Sequence, residues 1–274
     1  MTSDVSYDLE RALDLCVKKE NKYYNKIYPR TNENLELLFS NFDVYNKDVL
    51  SVLASGDQVF SARYLGARKV DSFDINKLTI YYYYLRVWLM KYLNMEYPTE
   101  SFFNYGDVDI WKFIYNLEVD TEEELKAKEF WLNYIKITNG LPNGYLFYHI
   151  GIDNDNIFKN DLDKVVSTDM NFYNESVFDE LDIDKQYDYI ILSNILEYTT
   201  SKEDYYMLSE NLKRLLKKDG LCVCSYMMNS ALSYDHEFEK HILDRLGFRV
   251  LEFGDYYRDN KGISREIGYA YRKK

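Results

Sequence analysis

The chain has little of what builds metal sites and disulfide scaffolds. Its 274 residues include three cysteines and three histidines. Cys16, Cys222 and Cys224 are too few and too unevenly spaced for a disulfide framework or a zinc site. His236 and His241 stand five residues apart, not at the i, i+4 spacing of a helical metal pair, and His149 stands alone. No metal is therefore expected. No apolar run approaches the ~20 residues of a spanning helix, so no membrane span is expected. The longest candidate, residues 78–93, is interrupted by tyrosines, two basic residues and a threonine and reads as a core helix. Residues 1–10 lack the basic start and apolar stretch of a signal peptide, which makes a reducing cytoplasm the expected compartment. Positive charge is also short: 34 Lys and Arg face 46 Asp and Glu, for a net charge of −12. Residues 153–188 alone carry eleven acids against three lysines. Such a surface repels phosphate backbones and argues against a nucleic-acid partner.

What is present fits an ordinary globular protein. Hydrophobic residues make up 46% and charged residues 29%. The length suits one large domain, or one domain with a substantial insertion. The 29 tyrosines come with many Asn, Lys, Ile and Asp, the composition of an AT-rich coding sequence, so most need no functional account.

Periodicity divides the chain. Val5, Leu9, Ala12, Leu13 and Cys16 fall on one helical face, predicting an amphipathic helix over residues 5–24. The run 28–32 breaks it, and 33–39 reads as a short helix. Together they form a helical N-terminal cap over 1–46, ahead of a core domain over 47–274. Residues 49–54 are a continuous apolar strand apart from Ser51, as expected when both faces are covered. Residues 57–65 are the crossover helix and 69–74 the second strand. Asn76 caps the next helix, which Pro98 follows. Residues 98–163 break the repeat, with helical patterns at 111–117 and 122–137, and read as an insertion. Insertions of this kind often build a substrate pocket. The repeat resumes with a third strand at 164–168, a fourth at 187–193 and a capping box opening at Ser201. A fifth strand at 221–226, a helix at 235–246 and two strands at 248–257 and 263–271 complete it. The short connection between the last two makes them antiparallel.

The turn Ala54-Ser55-Gly56-Asp57-Gln58 joins the first strand to its helix. A glycine there permits both a sharp reversal and close approach of a ligand to the backbone. Asp74 ends the second strand 18 residues after Gly56, close to the ~20-residue offset between a glycine turn and a ribose-binding acid. The turn has one glycine, so it is not a GxGxxG dinucleotide fingerprint. Asp57 at the helix start would oppose a pyrophosphate. A ribose and a cationic amino group suit it better, which favours S-adenosylmethionine (AdoMet) over NAD.

Five βα-type strands followed by an antiparallel pair resemble the sheet of AdoMet-dependent methyltransferases. The implied fold is α/β: a seven-stranded Rossmann-like sheet with a C-terminal hairpin. Within that superfamily the segment SVLASGDQVFSARYLGARKVDSFDINKLTIYYYYLRV resembles the aminocarboxypropyltransferase-like family that includes the diacylglycerol enzyme of betaine-lipid synthesis. Ser55, Gly56, Asp57 and Gln58 match its Ser-x-Gly-Asp-Asn/Gln turn. Asp74 and Asn76 match its Asp-x-Asn strand end, and Leu85-Arg86 stands for a Leu-Lys pair. The match covers residues 48–93, with weaker similarity at 193–198, and leaves out the cap and the insertion. The chain is short for the lipid enzyme and shows no membrane-binding amphipathic helix.

Ser193, Asn194, Glu197 and Tyr198 follow the fourth strand, where enzymes of this fold face the transferred group. Asn194 would orient a nucleophile, and Glu197 or Tyr198 would accept its proton; a turn-capping Asn194 and a solvated Glu197 are the plain alternatives. Asp169, with Asn171 close by, follows the expected third strand, where the adenine amino group is contacted; alternatively Asp169 is one more acid of an acidic stretch. Tyr81 to Tyr84 read mainly as helix core, although aromatic faces attract sulfonium and ammonium groups. Cys222 and Cys224 share one strand face and read as buried hydrophobes. The expected function is AdoMet-dependent transfer to a small-molecule or peptide acceptor, and the resemblance leans to the 3-amino-3-carboxypropyl group. Methyl transfer is the alternative, and a non-catalytic AdoMet-binding sensor or partner subunit a further one.

Overall fold

The computed structural model describes residues 3–18, 26–31, 33–96, 110–138, 157–167, 169–198, 201–224, 248–259 and 262–273. Two helices open the chain: α1 (Ser3–Lys18) and α2 (Leu35–Ser40). The α/β core follows as β1 (Asp48–Val52), α3 (Asp57–Tyr64), β2 (Lys69–Phe73) and α4 (Leu78–Leu93). The expected insertion supplies α5 (Ile110–Asn116) and α6 (Glu122–Thr138). Then come β3 (Phe172–Tyr173), β4 (Tyr187–Ser193), α7 (Lys202–Leu215) and β5 (Leu216–Cys224). The last elements are β6 (Phe248–Asp259) and β7 (Gly262–Lys273). The expected helix at 235–246 lies outside the described residues.

The strands form one sheet in the order β3-β2-β1-β4-β5-β7-β6. The first five run parallel, the α/β arrangement that the alternating elements predict. β7 pairs antiparallel with both β5 and β6. Two apolar layers follow from the two-residue period of a strand. Val49, Leu53, Val70 and Ile191 face one layer, with Phe60 of α3, most of α4 and Trp131 and Phe130 of α6. Leu50, Val52, Ile190 and Leu192 face the other, with Leu208, Leu212 and Leu215 of α7. Cys222 and Cys224 belong to this second layer and are buried. α7 begins with the expected capping box, in which Ser201 and Asp204 each accept the other's backbone N–H.

The insertion is part of the core here. Trp131 is fully buried and its Nε1 donates to the carbonyl of Tyr81 at 2.8 Å. Phe130 stacks on Tyr81 at 4.7 Å. Tyr81 in turn donates its hydroxyl to Asp8 of α1 at 2.7 Å, so α1, α4 and α6 lock together.

Two sequence expectations move. The first is the third strand: residues 162–164 form a 3-10 turn, and the strand is the two-residue β3 at Phe172–Tyr173. The Val165-Val166 pair that suggested a strand owes its hydrophobicity to tertiary packing, because Val165 is buried in the helical layer rather than laddered to β2. The second is β5, which begins at Leu216 rather than after the Asp219-Gly220 turn. The two residues form an irregularity in the ladder with β4, where Asp219 takes a φ of +65°. A side chain at Gly220 would come within 2.9 Å of the Lys217 carbonyl. Of the helix expected over 5–24, α1 covers the described part to Lys18, and residues 19–24 lie outside the described residues.

Truncating the Trp131 side chain removes a full aromatic from this three-helix junction. Trp131→Ala is expected to cost about 3–5 kcal/mol, read as a lowered urea midpoint with little change in the slope of the transition.

Candidate functional site

The strand order makes β1 the turning point of the sheet. The chain winds from β1 outward to β2 and β3, then returns to the other side of β1 as β4. A crevice opens between the carboxyl ends of β1 and β4, and open α/β sheets bind ligands there. Backbone strain marks both lips. Ala54, just past β1, has φ +44°, and Ser193, the last residue of β4, has φ +55°. Among the described residues the other non-glycine positions with positive φ are Asn46, Asn94 and Asp219, types that tolerate the left-handed region. Alanine and serine do not favour it. Each such residue costs about 1–3 kcal/mol and persists where the surroundings enforce it.

Between the lips lies the Ser55-Gly56-Asp57-Gln58 turn. Gly56 has φ +90°, and a side chain there would press within 3.0 Å of the Phe60 ring. Asp57 is fully buried, and the cation it meets belongs to the protein. Arg86 of α4, also fully buried, pairs with its Oδ1 at 2.6 Å. The backbone N–H of Thr31 and the hydroxyl of Ser55 donate to Oδ2 at 2.6 and 2.8 Å. Arg86 further donates to the carbonyls of Ser55 and Glu96, both at 2.8 Å, and lies over the Phe60 ring. This geometry corrects the expectation that Asp57 is poised for a ligand's amino group: the carboxylate fixes the turn to α4 and to the N-terminal segment.

Gln58 is buried with its amide split between two environments. Its Nε2 donates to Glu33 at 2.9 Å, while its Oε1 has no hydrogen-bond partner. Glu33, immediately before α2, has 3% of its surface exposed. It accepts from Gln58 through Oε2 and from the Ser193 hydroxyl through Oε1. One carboxylate thus bridges the β1 turn and the end of β4. Sequence reasoning missed Glu33 because it lies in the cap, 25 residues before the turn it serves, in a stretch that reads only as a helix start. Thr31 contributes as well, donating its N–H to Asp57 and accepting from Glu33 N at 3.2 Å.

Asp74 stands at the end of β2 as expected. Its Oδ2 accepts from Ala54 N at 2.9 Å and its Oδ1 from Asn76 N at 2.8 Å, which ties the ends of β1 and β2 together. Burial pushes its carboxyl up to about 6, against the pull of those two N–H groups and of the Thr79 hydroxyl. A carboxylate has roughly four lone-pair positions, so it keeps room for a further donor. Ile75 beside it exposes 52% of its surface, an apolar contact at the rim. Asn76 is buried, accepts from Leu78 N at 3.2 Å and donates to the carbonyl of Lys26 at 3.1 Å. Its side chain closes a turn just ahead of α4, whose N-cap is Lys77, and anchors the N-terminal segment.

Asp169 and Asn171 are not at this edge. Because β3 starts at residue 172, both precede the strand. Asp169 is exposed and pairs with Lys69, the first residue of β2, at 2.7 Å. That contact lies at the opposite end of the strands from Asp74 and holds the Asp169 carboxyl below its ordinary value. Asn171 serves the sheet through its backbone: Ser72 N donates to its carbonyl at 2.9 Å and its own N–H donates to Asp71 at 3.2 Å. The residue that does follow β3 is Asn174, whose Nδ2 donates to the Asp74 carbonyl at 2.8 Å. After β4, Asn194 is half-buried and accepts a long 3.4 Å contact from Ser193. Glu197 and Tyr198 end the 3-10 turn Ile195–Tyr198 that directly follows, and their side chains lie outside the described residues. Among the described residues no group of His, Cys, Asp and Glu is arranged to hold a metal ion, and no helix is long and apolar enough to cross a membrane.

These features lie at the switch point of a Rossmann-like α/β sheet, the edge at which open α/β sheets bind ligands. No protein-family model and no curated protein matches the chain. Among solved structures it is similar to a TehB-like SAM-dependent methyltransferase from Corynebacterium glutamicum, at 10% identity over 99% of each chain with a TM-score of 0.45. It is similar to the N-methyltransferase NodS from Bradyrhizobium japonicum, at 9% identity over 87% of this chain and 91% of that one, TM-score 0.44. A third is magnesium protoporphyrin IX methyltransferase from Synechocystis with bound SAM, at 11% identity over 98% and 85% of the two chains, TM-score 0.44. The reading of the site rests on this chain's own residues.

Two outcomes follow from the electrostatics. Arg86→Met leaves Asp57 buried without its cation and is expected to cost about 3–5 kcal/mol in chemical denaturation. For Asp74, the folded carboxyl titrates at about 6 and the unfolded one at 3.8. The folded state therefore holds a proton that the unfolded state has lost, and stability falls as pH rises from about 4 to about 6. Asp74→Asn is expected to flatten that slope in a series of melts across the interval.

Proposed function

We propose that the chain is an AdoMet-dependent transferase that moves a methyl group to a small-molecule or peptide acceptor. The observation that carries this reading is the set of acceptors lining the crevice: Asp74 at the end of β2, the unpartnered Oε1 of Gln58, and the buried carboxylate of Glu33. Asp74 suits the two ribose hydroxyls. Gln58 Oε1, a buried acceptor lacking a donor, suits the ammonium of the methionine moiety, and filling it relieves an unsatisfied polar atom. Ile75 gives the adenine ring an apolar surface, with Asn174 near it past β3. Ser193 and Asn194, with Glu197 and Tyr198 after them, stand on the far side of β1 and are assigned to the acceptor.

Glu33 also separates this ligand from a dinucleotide. A pyrophosphate at the start of α3 would meet a buried carboxylate, while a sulfonium is attracted to it. AdoMet supplies a carbon made electrophilic by its sulfonium. The protein's residues supply position: Asp74 and Gln58 hold the two ends, and the strained lips fix the distance between β1 and β4.

The expectation of aminocarboxypropyl transfer rested on the resemblance of residues 48–93, in the Ser55-Gly56-Asp57-Gln58 turn, the Asp74 and Asn76 strand end and the Leu85-Arg86 pair. The internal contacts of Ser55 and Asp57 account for half of that turn without a ligand, which leaves methyl transfer as the favoured chemistry.

Calorimetry with AdoMet, S-adenosylhomocysteine and NAD tests the ligand: AdoMet and S-adenosylhomocysteine are expected to bind and NAD is not. Asp74→Ala is expected to weaken AdoMet binding by at least about tenfold, the loss of one charge-assisted hydrogen bond; unchanged affinity would refute its role. Mass spectrometry after incubation with AdoMet and cell extract is expected to show S-adenosylhomocysteine. Methylthioadenosine instead would restore the aminocarboxypropyl reading, and neither product would point to a binding protein without catalysis.

A further inference from the structure

The groups assigned to AdoMet are sealed from solvent by the protein itself. Gln58 is fully buried, and Asp74 and Ser193 expose 8% each. A molecule the size of AdoMet cannot reach them while everything around them stays in place. Beneath them lie the strands and helices of the core. Across them runs a short segment from outside the sheet, residues 26–31 with Glu33 and Asn34. It is bonded in turn to each part of the carboxyl edge. Lys26 O accepts from Asn76, just past β2, at 3.1 Å. Pro29 O accepts from the Tyr82 hydroxyl of α4 at 2.7 Å. Thr31 N donates to Asp57, after β1, at 2.6 Å. Glu33 accepts from Gln58 at 2.9 Å and from Ser193 at the end of β4.

This segment is held unlike its neighbours. α1 before it buries Val5, Leu9 and Ala12, and α2 after it buries Leu35, Leu38 and Phe39. Of residues 26–31, the apolar side chain that is buried is Ile27. The named attachments are otherwise hydrogen bonds, whose net worth is small because water replaces each of them on opening. A segment with few buried apolar contacts opens at a lower free energy than the core beneath it. Opening also strands no charge. When Thr31 leaves, Asp57 keeps Arg86 and the Ser55 hydroxyl, and Glu33 passes into water. We infer that residues 26–31, with Glu33 and Asn34, are a strap that lifts from the carboxyl edge to admit AdoMet and release S-adenosylhomocysteine, and closes over the site in between. This rests on the AdoMet reading above. Closure keeps water from the reacting carbon. The anchor from Tyr82 to Pro29 belongs to none of the groups assigned to the ligand, so it holds the strap shut equally in the free and the bound protein. Weakening it speeds entry and exit by one factor and leaves the affinity alone.

The test uses the whole chain and two readouts. In the first, surface plasmon resonance gives the association and dissociation rates of S-adenosylhomocysteine for wild type and for Tyr82→Phe, which keeps the ring in the core and removes the hydroxyl on Pro29. Both rates are expected to rise together by about two- to tenfold, the effect of one net hydrogen bond, with Kd within about twofold of wild type. In the second, hydrogen exchange is followed residue by residue. The Thr31 N–H of wild type is expected to exchange through an opening at least about tenfold more frequent than that of the β1 amides. In Tyr82→Phe its exchange is expected to quicken by the factor seen in the association rate. Unchanged rates in Tyr82→Phe would overturn the strap. So would a rise in dissociation alone, which would mean that the anchor steadies the bound protein without guarding its entrance. Thr31 exchanging only as fast as β1 would overturn it as well, and this measurement on wild type decides the matter if the variant does not fold. Failure of wild type to bind AdoMet or S-adenosylhomocysteine in calorimetry is a separate result. It removes the transferase reading and the strap's role with it, whereas the other adverse outcomes, with ligand bound, remove the strap alone.

Discussion

The buried pair of Asp57 and Arg86 holds the site in shape. Neither residue has any surface in contact with solvent, and they meet at 2.6 Å. Two such charges out of water need hydrogen bonds beyond the one they share. These come from structure that converges from three directions, the Ser55 hydroxyl and carbonyl of the turn, the Thr31 N–H of the N-terminal segment and the Glu96 carbonyl past α4, while Arg86 Nη2 has no hydrogen-bond partner. The pair therefore does more than close a βα turn. It sets the height of Gly56 and Gln58 at the carboxyl edge, and it fixes where the N-terminal segment can run.

From that constraint the rest of the site follows. With Thr31 held to Asp57, the next helix start must carry Glu33 into the gap between β1 and β4. There its carboxylate joins Gln58 to Ser193. Asp74 performs the matching task on the other side, joining the end of β1 to the end of β2 through Ala54 N. The two acids bracket β1, one supplied from within the sheet and one from outside it. A sheet edge that would otherwise be three loops becomes a single hydrogen-bonded rim. The cap read as a separate helical region is tied to the core through Lys26, Pro29, Thr31 and Glu33, which bond Asn76, Tyr82, Asp57, Gln58 and Ser193.

Much of this was legible in the chain. Apolar continuity located β1, β2 and β4, the single glycine located the turn, and the acid 18 residues later located the end of β2. The capping box at Ser201 formed as its spacing predicts. What was not legible has physical reasons. Val165 and Val166 have the composition of a strand, but composition does not say whether a valine meets a neighbouring strand or a helix layer, and Val165 meets the helices. The displacement of the third strand to Phe172–Tyr173 carried Asp169 and Asn171 away from the site. Asp219-Gly220 has the residues of a turn and serves instead as an irregularity inside β5. Asp57 was read at a helix start and facing a ligand's amino group, but its cation is Arg86, 29 residues away on another helix.

By itself, then, the sequence determined the βα rhythm, the strand ends and the acid at the end of β2, because each depends on local spacing and on the period of a strand or helix. Only the tertiary structure decided which charges are paired and which face the crevice. Arg86 reaches Asp57 and Glu33 reaches Gln58 and Ser193 across separations of 29, 25 and 160 residues. The solvation of a carboxylate depends on what packs around it, and no local pattern encodes that.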